Sequence, residues 1–153
     1  MATLKDRLRS ELTTSMKARD ALRSSTLRML LTAITNAEVS GKQARELSDD
    51  EGVSVLSTES KKRRESAVAY DDAGRVELAA KERAESVIIA EFLPEQLSDE
   101  EISRLVATTI ADLGVAGEGM RAMGKVMGAL RAATIGRADG GAVSAEVRTQ
   151  LSG

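Results

Sequence analysis

The sequence contains no cysteine and no histidine. Without cysteine there are no disulfides, no thiolate metal sites and no thiol nucleophile. Without histidine the commonest general base, the commonest metal ligand and the middle member of a Ser-His-Asp relay are all missing. Ser-Lys chemistry and a carboxylate-only Mg²⁺ site survive this exclusion, but neither has a recognisable spacing here. No catalytic residue, metal ligand or cofactor is therefore expected, and nothing in the sequence supports a self-sufficient enzyme. Aromatic residues amount to 1%, Tyr70 and Phe92 alone, which nearly removes base stacking on an aromatic platform as a binding mode. Long apolar runs are absent too. No stretch approaches the ~20 residues that span a bilayer. Charges at Lys5, Asp6, Arg7, Arg9, Glu11, Lys17, Arg19 and Asp20 leave no room for the apolar part of a signal peptide. A cytoplasmic location without membrane association is the expectation.

Proline is equally scarce. Pro94 is the single one, helix formers dominate, and no convincing β-branched alternation bounded by turns is found. The expected fold class is all-α. Leu4, Leu8, Leu12 and Met16 recur every four residues behind Thr3, a candidate N-cap with Asp6 at the third helical position. A second helix is expected over about 22–39, with Leu27, Leu30, Leu31 and Ile34 inward, and a polar loop over 42–47. Ser48 followed by Asp49, Asp50 and Glu51 matches a capping box and opens a third helix that runs to Gly74. A fourth is expected over about 76–92, with Leu78, Val87, Ile88, Phe92 and Leu93 as core candidates. Two long helices joined at Gly74 should pair as an antiparallel hairpin.

The sharpest boundary lies at Pro94. Proline disfavours helical geometry at Leu93. Ser98 and Glu101 then form a capping box, with Leu97 and Ile102 at the positions of a hydrophobic staple. The chain is read as a larger N-terminal part of about four helices over 1–94, followed by a small three-helix bundle over 95–153. The three helices are placed at about 99–113, 120–134 and 143–151, separated by glycine-rich loops at 114–119 and 136–141. A bundle so small is marginal by itself and is expected to lean on the N-terminal part.

Charge is uneven behind a net −2. Residues 1–47 carry +4, 48–97 carry −5 and 98–153 carry −1, so a polyanion would have to meet a local patch. One run, Lys61-Lys62-Arg63-Arg64, rings a helix axis instead of forming a face, and Glu59 with Arg63 is a ready i,i+4 pair. It reads either as a solvated helix or as a partner contact. Residues 120–137 are more informative. They hold Arg121, Lys125, Arg131 and Arg137 and no acid, which reads either as an ordinary basic surface or as a patch that could neutralise a few phosphates. Met120, Met123, Met127 and Leu130 form a helical seam that is core by default. Gly124 and Gly128, one turn apart, each cost about 1 kcal/mol relative to alanine, which points either to close helix packing or to a contact surface. In the second loop, Gly136, Gly140 and Gly141 can leave backbone N–H groups open and Arg137 adds a planar phosphate fork, although the same loop also reads as a simple connection between two helices. No Walker motif is present, since no Lys-Ser/Thr follows and no strand precedes.

Five strings are distributed over nearly the whole chain: Thr26-Leu27-Arg28-Met29-Leu30-Leu31, Lys62-Arg63-Arg64-Glu65-Ser66, Leu93-Pro94-Glu95-Gln96-Leu97-Ser98, Met123-Gly124-Lys125-Val126-Met127-Gly128 and Gly136-Arg137-Ala138-Asp139-Gly140. In order and spacing they resemble the GatB/YqeY family. The resemblance implies a free-standing relative of the C-terminal tail of GatB, a component of the glutamine-dependent aspartyl/glutamyl-tRNA amidotransferase. That tail contacts tRNA while the amide-transfer chemistry resides elsewhere. A label of carbon–nitrogen ligase with glutamine as amido-N-donor would accordingly be inherited from the larger enzyme.

Carried over by position, Gly124, Lys125, Gly128, Gly136, Arg137 and Gly140 are the candidate nucleic-acid-binding residues, with Arg121 and Arg131 added by the charge reading. The family's usual lysines around the glycine loop are replaced here by Ala132-Ala133-Thr134-Ile135 and Gly141, which implies fewer phosphate contacts. The expectation is a non-catalytic tRNA-associated helical module with no DNA partner. The alternative is a protein-interaction adaptor that receives a partner helix on its Gly124/Gly128 face.

Overall fold

The computed structural model describes residues 2–153, and among them it contains seven α-helices and no strand. These are α1 (Leu4–Lys17), α2 (Ala21–Glu38), α3 (Asp49–Asp72), α4 (Val76–Ala90), α5 (Asp99–Leu113), α6 (Met123–Thr134) and α7 (Gly140–Ser152). One turn of 3-10 helix, Gly119–Ala122, leads into α6. The all-helical reading holds. The helix starts follow their local chemistry. Thr3 with Asp6, Ser48 with Glu51 and Ser98 with Glu101 form reciprocal capping boxes on α1, α3 and α5. Asp20 caps α2 by accepting the Arg23 N–H. Each box satisfies amide donors that have no partner inside the helix.

The chain folds as two compact units that divide between Leu93 and Pro94. In the first, α1 pairs with α2 and α3 pairs with α4, while α2 also packs on α3 and α4. Leu4, Leu8, Leu27, Leu30, Ile34, Leu56, Ile89 and Phe92 form its core. The α3–α4 turn is closed by Gly74 at φ 73°, a left-handed conformation that glycine adopts without cost. In the second unit, α5, α6 and α7 each pack on the other two. Ile102, Val106, Ile110, Val115, Ala122, Val126, Leu130, Val143, Val147 and Leu151 form its core. Leu97 is packed against that core, of which the buried Ile102 is part, in keeping with the staple.

Several expectations are corrected. Met16 is 45% exposed, and the buried residue of that turn is Ser15. A four-residue repeat drifts around a helix of 3.6 residues per turn, so the leucine ladder has rotated out of the core by Met16. The Ser15 hydroxyl compensates by pairing with that of Ser24 at 2.8 Å. Helix α4 ends at Ala90 rather than at 92, because the amides of Glu91, Phe92 and Leu93 turn back onto Ile88, Ile89 and Ala90 in three-residue steps. Leu78 and Val87 are exposed. The inward stripe of α4 is instead Ala79, Glu82, Ser86 and Ile89, since a half-buried arginine on α3 has to be met by carboxylates.

That arginine is Arg63. Its guanidinium lies 3.0 Å from Glu85, 3.3 Å from Glu59 and 3.7 Å from Glu82, and it also touches the Met29 sulfur of α2. The Lys-Lys-Arg-Arg run therefore divides. Arg63 is an internal clamp of the first unit, whereas Lys62 and Arg64 are exposed.

Candidate nucleic-acid interface

The residues singled out at 120–140 all lie in the second unit, and the three-helix core decides which way each points. Ala122, Val126 and Leu130 recur every four residues and are the buried stripe of the 120–134 segment. Met123 and Met127 flank it, half-buried. Met120 does not belong to the seam, being 45% exposed in the 3-10 turn that precedes α6. With Val126 and Leu130 turned inward, helical geometry turns Gly124, Gly128 and Arg131 outward on the opposite side. They follow one another at i, i+4 and i+7, and all three are exposed, as are Lys125 and Arg121. A Cβ placed on Gly124 or Gly128 would meet nothing within 4 Å. The glycines are not used for packing inside this unit. They leave a shallow, bare strip of helix backbone.

None of the four cations of this stretch is neutralised by a carboxylate among the described residues. Arg121 donates its Nε to the Glu118 carbonyl at 3.4 Å, and Arg137 donates its Nε to the Glu95 carbonyl at 3.0 Å. Neither these two nor Lys125 nor Arg131 takes part in an ion pair there. The contrast with the first unit is clear, because Lys5, Arg23, Arg45, Arg63 and Arg83 are each matched to a carboxylate.

Of the two readings of the segment 136–140, an open anion cradle and a plain connection between helices, the hydrogen bonds favour the second. Gly136 is buried and sits at φ 70°, where a side chain would be strained. Its carbonyl accepts from the Gln96 amide at 2.7 Å, and the Arg137 carbonyl accepts from the Leu97 N–H at 2.8 Å. The amides of Arg137 and Ala138 are both spent on the Thr134 carbonyl. Gly140 and Gly141 are not loop residues. They form the first turn of α7, capped by Asp139, whose carboxylate accepts the Ala142 N–H at 3.2 Å. An acid thus already occupies the place at that helix end where a phosphate would sit. Gly136 and Arg137 consequently act first as a stitch between the α6–α7 connection and residues 95–97. Gln96 is a residue that sequence reasoning misses. An exposed glutamine after a proline carries no periodic signal, and its partner lies forty positions away.

The family-like strings meet in pairs. Met29 of the first touches Arg63 of the second, and Gln96 of the third holds Gly136 of the last. The remaining string, residues 123–128, points Gly124, Lys125 and Gly128 away from the protein. Among the described residues no group of acids could hold a metal ion, and no helix is long and apolar enough to cross a membrane. No curated protein matches the chain. A family model described as Yqey-like protein matches residues 5–151, a span that takes in both units and every one of these strings, and on that match the chain belongs to the YqeY-like family.

Proposed function

We propose that the chain is a non-catalytic tRNA-associated module, organised as the four-helix and three-helix parts read from the sequence and related to the tRNA-contacting tail of the amidotransferase. The RNA backbone lies along the outer face of α6. The observation that carries this reading is the bare strip at Gly124 and Gly128 beside Lys125, Arg131 and Arg121, three cations with no carboxylate partner among the described residues. Absent side chains let a phosphate–sugar backbone come close, and the flanking cations supply sequence-independent, salt-sensitive affinity. Recognition is of shape and charge, because the chain has no aromatic platform on this face. Any carbon–nitrogen ligase label belongs to the larger enzyme whose tail is similar.

The test is fluorescence anisotropy of labelled total tRNA with the full chain at two salt concentrations. Binding should weaken as salt rises. Lys125→Glu with Arg131→Glu should reduce the slope of log affinity against log salt by about one for each phosphate no longer neutralised. Arg137 is left intact in this test because its Nε holds Glu95. Unchanged affinity in the double variant would sink the proposal. The second reading is a protein adaptor, favoured by the same open glycines, which would equally admit a partner helix. It predicts salt-insensitive binding of a protein to this face and none of RNA.

A further inference from the structure

The first unit carries a second exposed feature, independent of the α6 face. On the outer side of the α3–α4 hairpin, Arg64, Val68 and Asp72 follow one another on α3 at steps of four. Val76, Ala80, Arg83 and Val87 follow on α4 at steps of four, three and four, and all seven residues are exposed. Such steps keep a row on one face of a helix. Val68 is 58% exposed, and Val76 and Val87 are 67% exposed. The buried Ala67 and the half-buried Ser86 lie low between the rows. Valines gathered in this way on one hairpin make a patch, which scattered single exposures do not.

Charge decides what covers the patch. The α4 row adds no free charge, because Arg83 is paired with Asp71. On α3 the row reads cation, valine, acid. Arg64 reaches the neutral Ser60 hydroxyl at 2.9 Å, and neither Arg64 nor Asp72 has an ion-pair partner among the described residues. Asp72 is also the last residue of α3, where the helix dipole disfavours an acid, and no basic residue stands in that turn. Lys61 with Glu65 and Arg75 with Glu77, exposed residues of opposite sign close in sequence, leave the balance unchanged. A partner of one charge sign would be attracted at one end of the row and repelled at the other. The row is complementary to its own reverse. Turned end for end about Val68, Arg64 falls on Asp72 and Asp72 on Arg64, since each stands four positions from the valine.

We propose that this face is covered by a second copy of the chain. Two α3 helices pack antiparallel about a two-fold axis at Val68, and Arg64 of each copy meets Asp72 of the other. The same patch used twice is the isologous contact of a two-fold dimer. One helix row falls short of the roughly 800 Å² that each partner of a stable complex buries. The α4 row with Val76 and Val87 therefore joins it, and the two hairpins close into a four-helix arrangement.

The test is sedimentation velocity on the full chain, from about 10 µM to about 1 mM. A monomer–dimer equilibrium should appear within that range. Arg64→Asp and Asp72→Arg should each weaken the dimer by about tenfold or more, because like charges then meet in both contacts. Mixed together, the two single variants should pair about as well as the unaltered chain, because opposite charges meet again. Both positions are exposed, and an unchanged circular dichroism spectrum will show that the fold is kept. The chain has no cysteine, so Val68→Cys introduces a single thiol. Under mild oxidation that variant should cross-link copy to copy, whereas Val39→Cys, at an equally exposed position, should not. A chain that stays monomeric throughout, a dimer indifferent to both charge reversals, or single variants that fail to pair when mixed would overturn the proposal.

Discussion

At the scale of single residues, function and stability are carried by different groups, although both lie in the same short stretch. Gly136 is required by its conformation, whereas Gly124 and Gly128 are ordinary helical positions that happen to be bare. Gly136→Ala should destabilise the protein by about 1–2 kcal/mol in urea unfolding, because φ 70° places a Cβ against the following carbonyl. Glu51 gives a pH dependence of defined sign. The Arg45 side chain, joined by the Ser48 amide of the capping box, holds the Glu51 carboxyl below its usual 4.5, at about 2. A depressed folded-state value contributes stability that is complete above the unfolded value and is lost as pH falls through the folded one. The destabilisation caused by Glu51→Gln should therefore be present at neutral pH. It should shrink as pH drops below 4.5 and vanish near 2. Thermal melts of the two proteins over that range would show it, and a gap that persisted at the acid end would contradict the assignment.

At the scale of the helix, α6 holds two opposed demands. Its inner Val126 and Leu130, in line with Ala122 of the preceding turn, close a core, while the outer strip loses helix propensity at two positions one turn apart. Since a Cβ at either glycine meets nothing within 4 Å, Gly124→Ala and Gly128→Ala should each raise stability by about 1 kcal/mol. The proposed function requires the opposite effect on binding, because two added methyl groups hold the RNA backbone away from the helix. A double alanine variant that melts higher and binds tRNA less well is the expected outcome. If it melted higher and bound equally well, the strip would have no role in binding. Helix α4 is divided in a similar way. Its apolar residues Val76, Leu78 and Val87 face outward, and its inner stripe is largely small or acidic because it serves Arg63.

For the whole molecule, the net charge of −2 says little about an anionic partner. Ion pairing in the first unit consumes many of its cations locally, whereas the α6 region keeps its own. Screening at physiological salt limits exposed charges to a reach of about 8 Å. A local face therefore predicts that reversals outside it are nearly silent. Lys17→Glu and Lys42→Glu, at exposed positions of the first unit, should leave the salt dependence of tRNA binding almost unchanged. Lys125→Glu should reduce it in the same assay. An equal effect at all three positions would mean that the general field, and not a local face, attracts the RNA.

Local chemistry by itself determined the helical class, the capped starts of α1, α3 and α5, and the break at Pro94. Each rests on neighbours within about four positions: Thr3 with Asp6, Ser48 with Glu51, Ser98 with Glu101, and Pro94 acting on Leu93. The acid-free run at 120–137 was equally legible, since charge is read directly from composition. Tertiary structure alone decided the rest. Whether Gly124 and Gly128 pack or lie open depended on which side of α6 met α5 and α7, and both packing and exposure are compatible with the same spacing. The loop at 136–140 could only be told from an anion cradle once residues 95–97 were seen to use its carbonyls and Asp139 to cap α7. Arg63 became an interior clamp only because Glu82 and Glu85 arrive from another helix. Such partners lie some twenty to forty positions apart, and nothing in helical periodicity records which distant residue will complete a hydrogen bond or neutralise a charge.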